Sequence, residues 1–382
     1  MAEAFIPYGH QAIDADDIEA VVRALGSDFL TTGPEVTAFE ADLSAASGVS
    51  HAAVLNSGTS ALHAAYAAIG VSPGDEIVTS PLTFAATGNA ALYLGARPVF
   101  VDIDASTGLI DPELVERAIT SRTRAIVAVD YAGQPADYDA LRAVAERHHV
   151  PVVADAAHSL GATDNGRAVG TLADATALSF HPVKLITTGE GGAVVTDNPD
   201  AHARVVEFRS HGMVLERSRL RRDDGPWYME MQSLGFNYRM TDIQCALGRS
   251  QLRKLPTFLA RRRAIAERYD SDLSAIPGLD LPGRRPGAES AWHLYVVRVS
   301  EPSRRRRFFE ALRRCGLGVQ VHYLPVYRHP YYQDLGYPQG LCPLAEDFYG
   351  RAISLPIFPG LSDDQVTQVI ESVAAVARDV LA

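Results

Sequence analysis

Apolar and polar positions change period repeatedly along the first two-thirds of the chain. Residues 14–25 (DADDIEAVVRAL) start with acidic groups and continue with apolar residues at helical spacing, which predicts a helix. The segment Asn56-Ser57-Gly58-Thr59-Ser60 opens another, running to about Ile69. Short runs, apolar on both faces, follow at 76–79, 97–101, 125–129, 150–154, 175–179 and 192–196. Helical stretches such as 83–94 and 136–148 separate several of them. Such runs, alternating with helices, predict an α/β fold: a parallel or mostly parallel sheet with helices on each side.

After about residue 249 the pattern changes. A long helix is expected over 251–273, with Pro256 as a break or kink. A strand over 292–299, a helix over 304–315, a strand over 319–323 and a closing helix over 362–380 complete a smaller α+β unit. The expected division is a large domain over 1–250 and a small C-terminal domain over 251–382, with no internal repeat and no low-complexity linker.

The composition, 47% hydrophobic and 21% charged over 382 residues, is that of a globular protein with room for two domains. A net charge of −11 argues against a general nucleic-acid binder, and the arginine runs 261–263 and 304–307 read as solvated helix faces. Cys245, Cys315 and Cys342 are widely spaced without a CxxC, so neither a disulfide framework nor a metal site is expected. The N-terminal stretch has no basic region followed by an apolar one, and no apolar run reaches membrane-spanning length. A cytoplasmic protein with no membrane partner is expected. One imbalance sharpens the picture. Of 35 basic residues only Lys184 and Lys254 are lysine. A lysine kept in an arginine-rich chain suggests a task guanidinium cannot perform, such as losing a proton and forming an imine. Lys254, in a predicted helix, looks replaceable by arginine.

Lys184 lies in Ser179-Phe180-His181-Pro182-Val183-Lys184, where an apolar strand ends, and Thr188-Gly189-Glu190-Gly191-Gly192 follows. Open α/β sheets place ligands beyond the carboxyl ends of their strands, so this loop belongs at the active edge. A second strand ends in Asp155-Ala156-Ala157-His158, whose carboxylate is either a helix cap or the partner of a cationic ring nitrogen. Asn56-Ser57-Gly58-Thr59-Ser60 offers first-turn N–H groups to an anion, or is a plain cap. Phe84 follows the 76–79 strand and is either a core aromatic or a surface for a planar ring. Phosphate cradle, stacking aromatic, acid and lysine in this order describe a site for pyridoxal 5'-phosphate (PLP).

The motifs NSGTSAL at 56–62, PLTFAAT at 81–87, ADAAHSLGA at 154–162, SFHPVK at 179–184, TGEGG at 188–192 and NYRMTDIQCALG at 237–248 resemble the DegT/DnrJ/EryC1/StrS sugar aminotransferases. The resemblance implies the type I aminotransferase fold and PLP as cofactor. It implies Lys184 as the lysine that joins the cofactor and Asp155 as the partner of the ring nitrogen. His158 falls beside the ring hydroxyl and Phe84 against the ring, while Gly58, Thr59, Ser60 and Ser179 fall at the phosphate. Asn237 falls at a position that reaches the neighbouring subunit's cofactor phosphate, which implies a homodimer with shared active sites.

Further segments, IPYGHQAI at 6–13, SDFLTTGPEV at 27–36, YAGQPAD at 131–137, VHYLPVYRHPYY at 321–332 and SLPIFPGL at 354–361, resemble one branch, the C4 aminotransferases of pseudaminic acid biosynthesis. That branch moves an amino group from L-glutamate to C4 of UDP-2-acetamido-2,6-dideoxy-β-L-arabino-hexos-4-ulose. It implies His322 and Tyr323 as residues of the sugar-nucleotide pocket. Three alternatives stand beside it: a dehydrating relative, which carries His where this chain has Lys184; transfer to another nucleotide-linked keto sugar or an inosose; and a regulator that binds cofactor without turnover.

Overall fold

The computed structural model describes residues 5–381; Met1–Ala4, part of the N-terminal stretch read for a leader, and Ala382 lie outside them. The centre is a seven-stranded sheet. Its strands are β1 (His51–Leu55), β2 (Glu76–Thr79), β3 (Arg97–Phe100), β4 (Thr123–Val129), β5 (Val152–Asp155), β6 (Ala175–Ser179) and β7 (Gly192–Thr196). They lie in the order β1-β7-β6-β5-β4-β2-β3, and only β7 runs antiparallel to its neighbours. Three of the seven, β2, β5 and β7, are buried at every residue, as runs apolar on both faces require.

The six expected runs are all strands of this sheet. His51–Leu55 went unread because HAAVL starts polar and merges into the following helix. Around the sheet stand α1 (Ala15–Leu25), α2 (Pro34–Ser47), α3 (Gly58–Ala68) and α4 (Ala86–Tyr93), with further helices at Tyr138–His148 and Pro199–Phe208. One core cluster fills each face: Phe39, Val78, Ile126 and Phe180 on one side, Tyr66, Ile77, Val127 and Val153 on the other.

The long helix α5 runs without interruption from Asp242 to Leu273, and Pro256 lies inside it. The expected break does not occur. Pro256 is exposed, so its ring takes no room in the core, while buried Leu252, Leu255 and Leu259 hold the turns on either side. Helix α5 crosses residue 250. Leu252, Leu255 and Leu259 pack in the core of the large sheet, whereas Ile265, Tyr269 and Leu273 pack in a separate C-terminal core. That second core is built on an antiparallel sheet of Leu279–Asp280, Tyr295–Val299 and Ala352–Leu355, covered by α6 (Pro302–Arg314) and α7 (Asp363–Val380). The short strand Ile6–Pro7 pairs with Leu317–Gly318 and so joins the C-terminal unit. The expected strand at 319–323 is irregular chain with one bridge, Gln320 to Ser354. Its backbone is held by a side chain instead: the Tyr131 hydroxyl donates to the His322 carbonyl at 2.6 Å.

Candidate active site

The carboxyl ends of β5 and β6 and the start of α3 meet at a cavity of about 650 Å³. Gly58, Thr59, Phe84, Asp155, His158, Ser179 and Lys184 line it, and so do His322 and Tyr323 from the C-terminal unit. Nine sequence-predicted residues therefore share one wall system despite lying up to 265 positions apart.

The lysine loop is tied at its root. Phe180 N–H donates to the Gly191 carbonyl at 2.8 Å, and the Phe180 carbonyl accepts from Thr188 N–H at 3.0 Å and the Thr187 hydroxyl at 3.1 Å. Phe180 itself is buried against Phe39. Within the loop, Lys184 N–H donates to the His181 carbonyl at 2.8 Å. The Lys184 side chain has no carboxylate within ion-pair reach among the described residues. Burial pulls its ammonium down to about 8, against the attraction of Asp155. An amine so placed gives up its proton far more readily than an ordinary lysine, as imine formation and proton transfer both require.

Asp155 ends β5 and is buried. Its Oδ2 accepts from the Thr87 hydroxyl at 2.6 Å, and Thr87 pairs with Thr83 at 2.7 Å. Burial raises the carboxyl above its usual range, while Thr87, the Ala157 N–H and Lys184 act in the other direction. A cationic group arriving in the cavity would relieve that cost.

Helix α3 starts with a capping box. Ser57 Oγ accepts from Ser60 N–H, and Ser60 Oγ accepts from Ser57 N–H. This corrects the expectation for Ser60: its hydroxyl is spent inside the cap, bonding also to Asn56 Oδ1 at 2.8 Å, and it does not line the cavity. The first-turn N–H groups of Gly58 and Thr59 have no carbonyl partner within the helix, and both residues line the cavity, where such groups can receive an anion. A Cβ on Gly58 would come within 2.8 Å of Ser179 Cβ, so the bare backbone lets α3 close on β6.

Phe84 is 62% exposed, which removes the core reading for it. His158 is buried, with Nε2 at 3.2 Å from the Tyr323 hydroxyl and Nδ1 without a partner. Asn237 is exposed and lies outside this cavity, its carbonyl accepting from Asn56 Nδ2 at 3.4 Å. Sequence reasoning passed over Tyr8, Thr87 and Gln320. Thr87 alone carried a readable cue, a second threonine four residues after Thr83 in a stretch whose pattern predicts a helix.

The sequence matches the DegT/DnrJ/EryC1/StrS aminotransferase family over residues 11–374. The chain belongs to that family. It is 41% identical over 379 residues to the spore coat polysaccharide biosynthesis protein SpsC of Bacillus subtilis, covering 98% of this chain and 97% of that one. It is 40% identical over 358 residues to the UDP-4-amino-4,6-dideoxy-N-acetyl-β-L-altrosamine transaminase of Campylobacter jejuni, covering 92% of each. Helicobacter pylori PseC, an aminotransferase involved in pseudaminic acid biosynthesis, superposes with a TM-score of 0.91 at 36% identity, covering 98% of this chain and 100% of PseC. The PLP form of the sugar aminotransferase Spr1654 from Streptococcus pneumoniae superposes with a TM-score of 0.93 at 32% identity, over 99% and 100% of the two chains.

The protein is a sugar aminotransferase with PLP as cofactor. The residues present fit that group: a deprotonable amine, a buried carboxylate with spare acceptor capacity, and first-turn N–H groups share one cavity. An exposed aromatic borders it, and an imidazole nitrogen beside it awaits a partner. Among the described residues no cluster of three metal-ligating side chains occurs, and no helix is long and apolar enough to cross a membrane.

Proposed function

We propose that this aminotransferase moves the amino group of L-glutamate to C4 of UDP-2-acetamido-2,6-dideoxy-β-L-arabino-hexos-4-ulose. The products are 2-oxoglutarate and UDP-4-amino-4,6-dideoxy-N-acetyl-β-L-altrosamine, an intermediate for pseudaminic acid. The observation that carries the chemistry is Lys184, a lysine with its ammonium lowered to about 8 in a cavity shared with buried Asp155. The likeness to PseC and to the Campylobacter transaminase supports the choice of sugar.

When bound, PLP supplies the electron sink for breaking the Cα–H bond of the donor. Lys184 would hold the cofactor and, as a free amine, would take up and return the proton that moves during transfer. Asp155 places negative charge opposite a protonated ring nitrogen. Gly58, Thr59 and Ser179 bind phosphate, Phe84 covers a ring face, and His158 contacts the ring hydroxyl. His322 and Tyr323 belong to the acceptor side.

The working form is a cytoplasmic homodimer in which Asn237 of each subunit reaches the other's phosphate site. Exposure of Asn237, together with exposed Leu215, Trp227, Met231 and Leu234 on the same segment, supports a covering second copy.

Glutamate-dependent amination of the UDP-linked 4-keto sugar, read by product mass and by NMR at C4, tests the whole reading. The comparable likeness to SpsC supports a second reading, transfer to a different nucleotide-linked keto sugar. Turnover of such a sugar, with none of the UDP-arabino-hexos-4-ulose, would replace the first.

A further inference from the structure

We infer that His293 is a positioning residue for His158, holding that imidazole so that its Nδ1 is presented to the cofactor. His293 lies outside the cavity lining, and nothing in the chemistry above uses it. The inference rests on the reading of the Lys184 cavity as the PLP site.

Two buried imidazoles face each other here. The rings of His158 and His293 have centroids 4.3 Å apart at an interplanar angle of 42°. His158 Nε2 is engaged by the Tyr323 hydroxyl at 3.2 Å, so Tyr323 fixes the ring edge. The His293 ring packs at a tilt against the His158 ring and makes no side-chain hydrogen bond among the described residues; its Nδ1 is buried without a partner. A buried polar ring kept without a hydrogen bond calls for an explanation other than its own satisfaction. With edge and face held, the remaining polar atom of His158 is Nδ1.

Four linked features of the surrounding backbone hold His293 in place. Gly133 has φ +102°, and a Cβ there would come within 2.9 Å of the backbone nitrogens of Trp292 and His293 and 3.0 Å of the His158 carbonyl. The backbone of 291–294 is laced to that turn, Ala291 N–H donating to the Gly133 carbonyl at 2.9 Å and Leu294 N–H to the Ala132 carbonyl at 3.2 Å. Arg262, buried and without a carboxylate partner among the described residues, spends Nη1 on the carbonyls of Trp292 (3.0 Å), Ile357 (2.9 Å) and His293 (3.4 Å). Trp292 itself sits at φ +51°, a conformation bulky residues avoid. Backbone outliers of this kind persist where the surroundings over-determine them, and they gather at functional sites. A close-approach glycine, a buried arginine and a left-handed tryptophan all converge on one small ring, which itself touches the cavity wall.

The test compares His293→Ala and His293→Phe in the full-length protein stripped of cofactor and titrated with PLP. Covalent attachment at Lys184 is trapped with borohydride and read by mass, and the visible circular dichroism of the bound cofactor reports how firmly its orientation is fixed. His293→Ala is expected to weaken PLP binding about three- to tenfold and to shrink the dichroic band, while His293→Phe, which keeps a ring face, stays within about twofold of the parent. In a His158→Ala background the His293→Ala change should add nothing, because it acts through His158. Unchanged binding and dichroism in His293→Ala would overturn the inference, as would a His293→Phe protein as impaired as the alanine variant, or a full effect surviving in the His158→Ala background. If His293→Ala does not fold, His293→Gln, of similar bulk but without a ring, takes its place with the same outcomes. A parent protein that attaches no PLP at Lys184 would sink the site reading itself, and this inference with it.

Discussion

Lys184 and Lys254 stand under opposite electrostatic conditions in one chain. Lys184 borders a cavity, pairs with no carboxylate among the described residues, and has its ammonium pulled down to about 8 by burial. Lys254 on α5 is also partly buried, which lowers it. Pairing with Asp14 and, at 2.9 Å, with Asp17 outweighs that and raises it. The carboxylates differ in parallel. Asp155 acts on Lys184 only through space and binds Thr87 instead, whereas fully buried Asp17 takes Lys254 and Gln251 directly. A scarce residue type thus marks two kinds of site. One lysine is left unpaired so that it can give up its proton; the other is clamped so that it cannot.

The widest test of this contrast is to remove each amine. Lys184→Ala should lower transamination by about 10²–10⁴-fold or more, with loss of the covalent adduct, because no other amine lines the cavity. Steady-state rates and borohydride trapping check it. Lys254→Ala should leave the rate at saturating cofactor unchanged. Normal turnover by Lys184→Ala would erase the distinction between the two lysines.

Asp155→Asn should come next. It keeps the shape of the pocket but removes the charge that stands opposite a ring nitrogen. PLP affinity and turnover should each fall by about tenfold or more, since one unit of pKa coupling corresponds to a factor of ten. A titration of the cofactor-free protein with PLP measures the first, and unchanged affinity and rate would take Asp155 out of its role.

The contrast also marks what the sequence could carry. Local period gave the six runs of the large sheet, because a strand buried on both faces has no polar alternation to blur it. Motif order brought Gly58, Phe84, Asp155, His158, Ser179 and Lys184 to one wall, because β-strand ends and helix starts of such a sheet open to the same edge. What depended on which partner a side chain takes was not legible. Ser60 carries the same hydroxyl whether it faces an anion or closes a cap. Pro256 breaks a helix only if its neighbours fail to hold the turns. Lys254 looked replaceable because its partners Asp14 and Asp17 lie some 240 residues away.

Lys254 offers the third test. Removing it in Lys254→Ala leaves buried Asp17 with Gln251 as its remaining side-chain donor at 2.7 Å, and should cost about 1–3 kcal/mol in urea unfolding. Lys254→Arg should recover part of this, because a planar fork replaces a compact ammonium that reaches two carboxylates at once. Equal stability of all three proteins would mean that the clamp contributes nothing, and that the second lysine has no structural account.

The smallest effect separates the lysines by sign. Lys184 has a folded-state pKa of about 8 against the usual 10.5, so between those values the unfolded chain binds more protons than the native one. Stability therefore rises with pH through that window, and below about 8 the full cost of a buried ammonium is present. Replacing it in Lys184→Met should stabilise the cofactor-free protein at pH 7 by about 1 kcal/mol, a figure held down by solvent reaching the open cavity. The gain should shrink as the pH climbs from 8 toward 10.5. Lys254, whose pKa is raised, contributes stability that is fully present below its unfolded value and is lost only as pH rises above it. Lys254→Met should therefore show a penalty that stays flat over the same window. Urea unfolding of the three proteins at pH 7, 8.5 and 10 measures both slopes, and parallel curves for the two variants would show that the lysines differ in neighbours but not in charge state.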